Sequence, residues 1–225
     1  MAHQPVHLTE VGQLGMGDRM RLARRAHGLS LRELARRLGV SPSLISQVET
    51  GRARPSVNTL YAIASELAVS VDELLFSDAR PPGPEAARRA RPSDAIRAMP
   101  PNPVQRSTRR GMIRLASGVT WERLTTASIS TADFLRVTYE VDGASSAEDE
   151  LQRHSGLEFG YVMSGTLSAT IGFDQHVLRP GDSIAFDSMV PHRLANVGDE
   201  PVRAIWFVVG RQGDPEPGST YGHVR

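Results

Sequence analysis

The chain has 225 residues, of which 40% are hydrophobic, and a net charge of only +1 at pH 7, so it is long enough for one large domain or two modest ones. It contains no cysteine, which excludes disulfides, thiolate zinc sites and cysteine nucleophiles. The first residues lack a basic start followed by an apolar core, and the longest uncharged run has 15 residues, so we expect a cytoplasmic protein with no signal peptide and no membrane span.

The small net charge conceals an uneven distribution along the chain. Residues 19–54 hold nine arginines and two acids, for a net charge of +7, and residues 77–110 hold eight arginines and three acids, for +5. From residue 111 onward, nine arginines face fifteen acids, for −6. A basic front and an acidic back predict that the front binds a polyanion such as DNA.

Serine caps and glycine stops divide residues 16–76 into short predicted helices. Ser30 with Glu33 forms a capping box, so a helix should begin at Leu31, and Ser41 followed by Pro42 should begin the next. The remaining signals are stops at Gly39 and Gly51, a cap at Ser56, and a second capping box at Ser70 and Glu73 before a last short helix to Phe76.

Two short helices joined by a glycine-containing turn are typical of a helix-turn-helix. The segment SLRELARRLGVSPSLISQVETGRARPSVNTLYAIASELAVSVDELL resembles the lambda-repressor-type domain of the xenobiotic-response-element (XRE) regulators. The matching features are the small Ala35, the turn Gly39, the ETGRARPS tail and the core set Leu34, Leu38, Val40, Ile45 and Val48. The resemblance implies that residues 16–76 bind double-stranded DNA.

The second helix of this pair, residues 42–50, is predicted to enter the major groove. Ser43, Ser46 and Gln47 are the candidates for base contacts, and Gln47 can pair bidentately with adenine. The candidates for phosphate contacts are Arg32, Ser41, Arg52 and Arg54. The alternative is that the serines only cap the helix and the arginines only form a solvated face.

Residues 77–110 contain seven of the fifteen prolines, which predicts a stiff, extended linker. Its arginines could follow the DNA backbone or remain solvated, and we favour a solvated tether. Residues 1–15 and 211–225 are assigned to an N-terminal extension and a C-terminal tail.

From residue 111 to residue 210 the pattern changes to alternating, β-branched segments. FLRVTYEV, LEFGYVM, TLSATIG, SIAFD and VRAIWFVV are predicted strands, with Ser164–Gly165 as a hairpin turn. Many short strands predict an antiparallel barrel or jelly roll. The segments QRHSGLEFGYVMSGTL and PGDSIAFDSMVPHRLAN resemble the two motifs of the cupin family. The predicted fold is therefore multidomain α + β, with an all-α helix-turn-helix domain followed by an all-β cupin jelly roll.

His154 and Glu158 are four residues apart in a segment predicted as a strand, which would place both side chains on one face. The cupin resemblance implies a metal site with His154, Glu158 and His192 as ligands, and Gln152 stands where the family has a further histidine. Gln152 could be a weak ligand or contact a small molecule. Two histidines and a carboxylate suit non-haem iron, with Zn, Mn and Ni as alternatives. A hydrogen-bonded polar cluster in an empty barrel is the other interpretation.

The sequence thus predicts a DNA-binding transcriptional regulator, acting as a homodimer on two half-sites, whose barrel senses a small-molecule effector with or without a divalent metal. No catalytic residue is assigned. The alternative is a mononuclear non-haem iron oxygenase, since epoxidases acting on hydroxyalkyl phosphonates join the same two modules. The basic DNA-reading surface favours the regulator, because a catalyst has no need of it.

Overall fold

The computed structural model describes residues 15–69, 71–76, 102–127, 129 and 132–210. Within these ranges the helices are α1 (Met16–Ala26), α2 (Leu31–Leu38), α3 (Pro42–Glu49), α4 (Val57–Glu66) and α5 (Val71–Phe76). The strands are β1 (Met112–Arg114), β2 (Val119–Arg123), β3 (Ala132–Tyr139), β4 (Leu157–Ser164), β5 (Leu167–Ile171), β6 (Asp174–Leu178), β7 (Ser183–Asp187), β8 (His192–Asn196) and β9 (Val202–Val209). The predicted order of a helical part followed by a β part is confirmed.

The helices begin where the predicted caps place them. The hydroxyl of Ser30 accepts the backbone N–H of the residue three positions later, at 3.1 Å, and Ser41 and Ser56 do the same at 3.2 and 3.1 Å. Gly39 follows α2 in the left-handed conformation, at φ +66°, which favours glycine. Ser70, the first residue of the second capping box, lies outside the described residues.

Several arginines of the basic front have structural partners within the helical domain. Arg24 is buried against Glu49, with Nε and Oε1 2.6 Å apart. Arg19 is also buried, and its Nε donates to the carbonyl of Leu74 at 2.6 Å, near the end of α5. The net charge of +7 therefore overstates the charge that this domain presents to solvent, because part of it is buried in the packing of α1, α3 and α5.

The strands form two antiparallel sheets, one in the order β1-β2-β3-β9-β4-β7 and the other in the order β6-β5-β8. Alternate residues of β9 point into the barrel and are buried, whereas their neighbours face outward. This arrangement confirms the predicted jelly roll. The prediction missed four strands, which are β1, β2, β6 and β8.

The predicted hairpin at Ser164–Gly165 is wrong. β4 and β5, which flank this turn, belong to different sheets, so the chain crosses from one sheet to the other at that point. Gly165 has φ +78°, and a Cβ there would lie 2.8 Å from the Cα of Val202. The hairpin that follows instead joins β5 to β6 through Gly172, at φ +62°.

The helical domain contacts the barrel directly. The backbone N–H of Ala116 donates to the carbonyl of Pro55 at 3.0 Å, and the guanidinium of Arg123 lies 5.3 Å from the ring centroid of Phe76. Residues 77–101 of the predicted linker lie outside the described residues, and residues 102–110 form coil and one 3₁₀ turn. Among the described helices, none has both the length and the apolar character needed to cross a bilayer.

Candidate metal centre and DNA-reading surface

The three predicted metal ligands meet inside the barrel. Glu158 Oε1 lies 2.9 Å from His154 Nε2 and 3.2 Å from His192 Nε2, and all three side chains are buried. The prediction that His154 and Glu158 share a strand is wrong, because β4 begins only at Leu157 and Gly156, at φ +115°, bends the chain between them. His154 therefore reaches Glu158 from a loop rather than along a strand.

Gln152 is held beside His192 by a pair of backbone hydrogen bonds. The N–H of each residue donates to the carbonyl of the other, at 2.8 and 2.9 Å. Residues paired in this way across an antiparallel bridge point their side chains to the same face. The buried Gln152 side chain is thereby directed to the side on which His192 lies.

Backbone carbonyls fix the tautomers of both histidines. Nδ1 of His192 lies 2.9 Å from the carbonyl of Val190, and Nδ1 of His154 lies 3.2 Å from the carbonyl of Ser155. Because a carbonyl only accepts, Nδ1 carries the proton of each neutral ring. Nε2 then presents its lone pair toward Glu158, which is the arrangement that a metal-binding imidazole requires.

The buried atoms that converge here are acceptors that require a cation. Gln152 Oε1, Glu158 Oε1 and His192 Nε2 are buried, and none makes a well-formed hydrogen bond to another described residue. Such atoms destabilise a protein unless a proton or a metal ion lies among them. One ligand atom each from His154, Glu158 and His192 lies within 4.8 Å of the others, so the residues present fit a divalent metal.

Trp206 and Gly160 position the carboxylate of Glu158. The Trp206 Nε1–H donates to Glu158 Oε2 at 2.6 Å, which leaves Oε1 directed toward the histidines. Trp206 on β9 lies opposite Gly160 on β4, and a Cβ at Gly160 would be 2.2 Å from the indole ring. Sequence reasoning missed both residues, although a glycine within a strand is itself a sign of close approach.

The charge state of the site follows from its surroundings. Burial alone would raise the pKa of Glu158, but hydrogen bonds and positive charge from His154 and His192, when these rings are protonated on Nε2, outweigh burial and hold that pKa well below the ordinary 4.5. Burial raises the pKa of Tyr139 well above its usual value, and nearby Tyr61 and Glu158 raise it further. The centre therefore combines an ionised carboxylate with a neutral phenol.

An open cleft of about 360 Å³ lies between the two sheets next to this centre. Phe186 lines the cleft, and its ring centroid is 4.9 Å from that of His192. The other lining residues are Ile171, His176, Leu178, Ser183, Ile184 and Ala185. The cleft is thus mainly apolar, and Phe186 contacts both the cleft and His192.

The predicted DNA-contacting residues lie on and around α3. Ser43 and Gln47 are exposed on this helix, with Gln47 Nε2 3.4 Å from Ser43 Oγ, whereas Ser46 is half-buried. The predicted phosphate-contacting residues Arg32, Ser41, Arg52 and Arg54 are all exposed. Unlike Arg24, the three arginines of that set form no ion pair with any other described residue.

Two protein families match the chain, the helix-turn-helix family over residues 20–74 and the cupin domain over residues 136–208. The HTH-type transcriptional regulator PuuR of Escherichia coli (strain K12) is 23% identical over 193 residues, which are 85% of this chain and 93% of that protein. The crystal structure of an HTH_3 family transcriptional regulator from Vibrio cholerae aligns with a TM-score of 0.58 and 20% identity, over 86% of this chain and 94% of the other.

Hydroxypropylphosphonic acid epoxidase from S. wedmorenis also aligns, with a TM-score of 0.42 and 18% identity, over 89% of this chain and 100% of that one. A similarity of that size carries no argument about function. The matched families, the fold and the curated relative agree on the class. The chain belongs to the XRE-type helix-turn-helix transcriptional regulators that carry a C-terminal cupin domain.

Proposed function

We propose that this protein binds operator DNA in the cytoplasm through α3, and that its barrel senses a small-molecule effector through a divalent metal held by His154, Glu158 and His192. The observation that supports the sensing function is the convergence of three buried ligand-type side chains in the barrel, two of which, Glu158 and His192, have a buried ligand atom without a well-formed hydrogen bond to another described residue. The exposed face of α3 supports the DNA-binding half.

On the DNA side, Ser43, Ser46 and Gln47 are the proposed base-reading residues, since the recognition helix of such domains presents its first turns to the major groove. The exposed arginines 32, 52 and 54, together with Ser41, are proposed to contact phosphates and set the orientation of the helix. The test is a genomic DNA selection with the full-length chain at low salt. Recovery of a common sequence supports the proposal, and failure to enrich any sequence contradicts it.

On the barrel side, two imidazole nitrogens and a carboxylate oxygen, with the Gln152 amide oxygen as a fourth donor, suit Fe, Zn, Mn or Ni. When bound, the metal would supply open coordination positions at which a donor atom of the effector could bind. The apolar cleft beside Phe186 would accommodate the rest of a small molecule.

Elemental analysis with native mass spectrometry of gently purified protein tests this metal. One ion per chain is expected, and it should be lost in His192→Ala. His176→Ala is the matched control, because His176 lines the cleft but lies outside the ligand cluster. A chain that stays metal-free after reconstitution with each of the four ions would contradict the metal site.

The proposed homodimer has a candidate surface on the larger sheet, which we name the outer apolar face. Aromatic rings on three adjacent strands lie close together on this face, and the ring centroid of Phe207 is 5.9 Å from that of Phe134 and 6.5 Å from that of Phe159. The face consists of Phe134, Leu157, Phe159, Tyr161, Met163 and Phe207, each between 37% and 50% exposed. Soluble monomers rarely leave so many large apolar side chains exposed together.

The occupant we propose for this face is a second copy of the chain. Each large side chain of this kind has about 150–250 Å² of surface, of which somewhat under half is exposed here. The six together therefore expose roughly 500 Å² of surface per chain, or about 1,000 Å² in a symmetric pair. A stable interface of standard size buries about 1,600 Å², and this face would supply its apolar core. Lambda-type readers bind two half-sites as two-fold dimers, which requires such a self-complementary surface.

An oxygenase remains the second candidate, because two histidines and one glutamate form the ligand set that suits non-haem iron with open positions. The two functions differ in turnover. With Fe(II) and oxygen, an enzyme would consume many equivalents of a candidate substrate, such as a hydroxyalkyl phosphonate, and Glu158→Ala would stop it. A sensor would bind one equivalent per site and release it unchanged.

A further inference from the structure

One residue of the DNA-binding domain reaches the candidate metal centre. Tyr61 lies on α4, the helix that follows the recognition helix, and its ring centroid is 4.2 Å from that of His154. The same ring lies 5.4 Å from Trp121 of β2. Only 6% of Tyr61 is exposed, so its ring is enclosed between its own domain and the barrel.

Further contacts hold this helical surface against the barrel. Pro55, which lies just before α4, accepts the backbone N–H of Ala116 at 3.0 Å. Phe76, at the end of α5, packs on Gly111 so closely that a Cβ at Gly111 would lie 2.5 Å from its ring. Tyr61 is therefore one of several docking points, and among them it is the one in contact with a proposed metal ligand.

We propose that Tyr61 forms a wall of the metal centre contributed by the DNA-binding domain, and that it couples occupancy of that centre to DNA affinity. This inference rests on the proposed function, since it assigns the regulation of the same site. A metal on Nε2 fixes the orientation of the His154 ring and draws electron density from it. The face of a phenol ring attracts a positively polarised neighbour, so contact with Tyr61 strengthens when the site is occupied.

Such a contact satisfies the thermodynamic requirement for coupling. A ligand shifts an equilibrium only when it interacts differently with the two states, and the docked domain contacts His154 whereas an undocked one does not. Occupancy therefore favours docking of α4 on the barrel, and α3 moves with α4 because both helices pack against α2. Coupling of this kind typically changes affinity about 5- to 150-fold.

The test uses the full-length protein with Co²⁺ as the probe and an operator obtained by genomic selection. The quantity measured is the coupling ratio, defined as the operator Kd of the metal-free protein relative to that of the Co²⁺-loaded protein. In the wild type this ratio should differ from 1 by at least about fivefold. Tyr61→Phe, which keeps the ring, should retain the ratio, whereas Tyr61→Leu should bring it close to 1 while still binding Co²⁺.

Phe76→Leu is the matched control, because it weakens the same domain interface away from the ligand cluster. It should keep the wild-type ratio. A folded Tyr61→Leu protein with the wild-type ratio would overturn the inference, and so would a wild-type ratio of 1. Failure of the wild type to bind Co²⁺ or any operator is a separate outcome, since it would remove the proposed function itself.

A second readout needs no destabilising substitution. Co²⁺ is paramagnetic, so in protein with labelled tyrosine rings it should shift the Tyr61 signals, assigned by their loss in Tyr61→Phe, far more than those of Tyr161. Tyr161 is 48% exposed on the outward face of β4. Equally small shifts for both rings would show that Tyr61 does not line the centre.

Discussion

The two carboxylate oxygens of Glu158 have different environments. Oε2 accepts the indole N–H of Trp206 at 2.6 Å, whereas Oε1 faces His154 and His192. The indole therefore fixes the rotation of the carboxylate and leaves one oxygen free for a metal. Residues that orient ligands in this way commonly affect metal affinity as strongly as 10- to 100-fold.

Trp206→Phe should accordingly weaken Co²⁺ binding about 10- to 100-fold while the barrel stays folded, because the phenyl ring fills most of the space but donates no hydrogen bond. Isothermal titration calorimetry of the metal-free protein measures the change. Trp121→Phe is the matched control, since Trp121 is also buried in the barrel but contacts Tyr61. An affinity of Trp206→Phe within twofold of the wild type would contradict the positioning role.

For individual residues, the sequence predicted which side chains lie close together better than it predicted their backbone geometry. His154, Glu158 and His192 do lie close together, as the resemblance to the two cupin motifs implied. These residues could be picked out because each motif is short and local. The strand placement of His154 was wrong, since the sequence does not reveal the backbone conformation of Gly156, at φ +115°. Trp206 was missed because its partner Glu158 is 48 positions away, which leaves no local pattern.

Gly160 of β4 packs against Trp206, the residue that orients Glu158 in the candidate metal centre. Gly160→Ala would place a Cβ 2.2 Å from the Trp206 ring, so the indole or the strand has to move. Overpacking of this kind costs about 1–3 kcal/mol, and the displaced indole should also weaken Co²⁺ binding. Thermal unfolding and calorimetry measure the two effects.

Gly198→Ala provides the matched control for this substitution. A Cβ there would meet its nearest neighbour, Thr166, at 3.4 Å, so the residue can be accommodated with little adjustment. It should leave both stability and Co²⁺ affinity near the wild-type values. If Gly160→Ala behaves in the same way, the glycine is not needed for the position of Trp206.

Substitutions on and beside α3 should separate base reading from phosphate contact. Gln47→Ala should relax the preference at one base pair, costing about 1–3 kcal/mol on the selected operator, because a bidentate amide contact discriminates adenine. Arg52→Ala should weaken binding to all sequences similarly and lower the salt dependence. Binding of a panel of single-base operator variants measures both.

Arg114→Ala is the control for loss of charge, because Arg114 is exposed on β1 of the barrel. It should leave operator binding unchanged. Uniform weakening by Gln47→Ala across the panel, or an unchanged affinity of Arg52→Ala, would contradict the assignment of these two residues.

Element starts were predictable where the cause is local. Ser30, Ser41 and Ser56 cap their helices through bonds to a residue three positions away, and that spacing is readable in the sequence. The turn at Ser164–Gly165 was wrongly predicted as a hairpin, because the sheet to which each flanking strand belongs is decided by pairing with other strands. β4 pairs with β7 and β9, and β5 pairs with β8 as well as with the adjacent β6, so most of the partners that decide this connection are distant in the chain.

For the molecule as a whole, the outer apolar face predicts that two chains associate. Phe159→Glu places a carboxylate at the centre of this face, and a two-fold pair would bring two of them together. The protein should then sediment as a monomer at concentrations where the wild type is a dimer, and analytical ultracentrifugation measures this. Val177→Glu, at an exposed valine of the smaller sheet, should leave the dimer intact.

Dimers of Phe159→Glu as stable as those of the wild type would exclude this face as the interface. A wild type that is monomeric until residues 211–225 are removed would instead show that the C-terminal tail covers the face. Monomers in both forms would contradict the homodimer itself.

The chain as a whole is proposed to read DNA, and the most direct measurement is its affinity for the selected operator compared with a scrambled duplex of equal length, at several salt concentrations. The full-length protein should prefer the operator by at least about 10³-fold, and both affinities should fall steeply as salt rises. Equal affinity for the two duplexes would contradict sequence reading by α3, because exposed arginines alone would explain such binding.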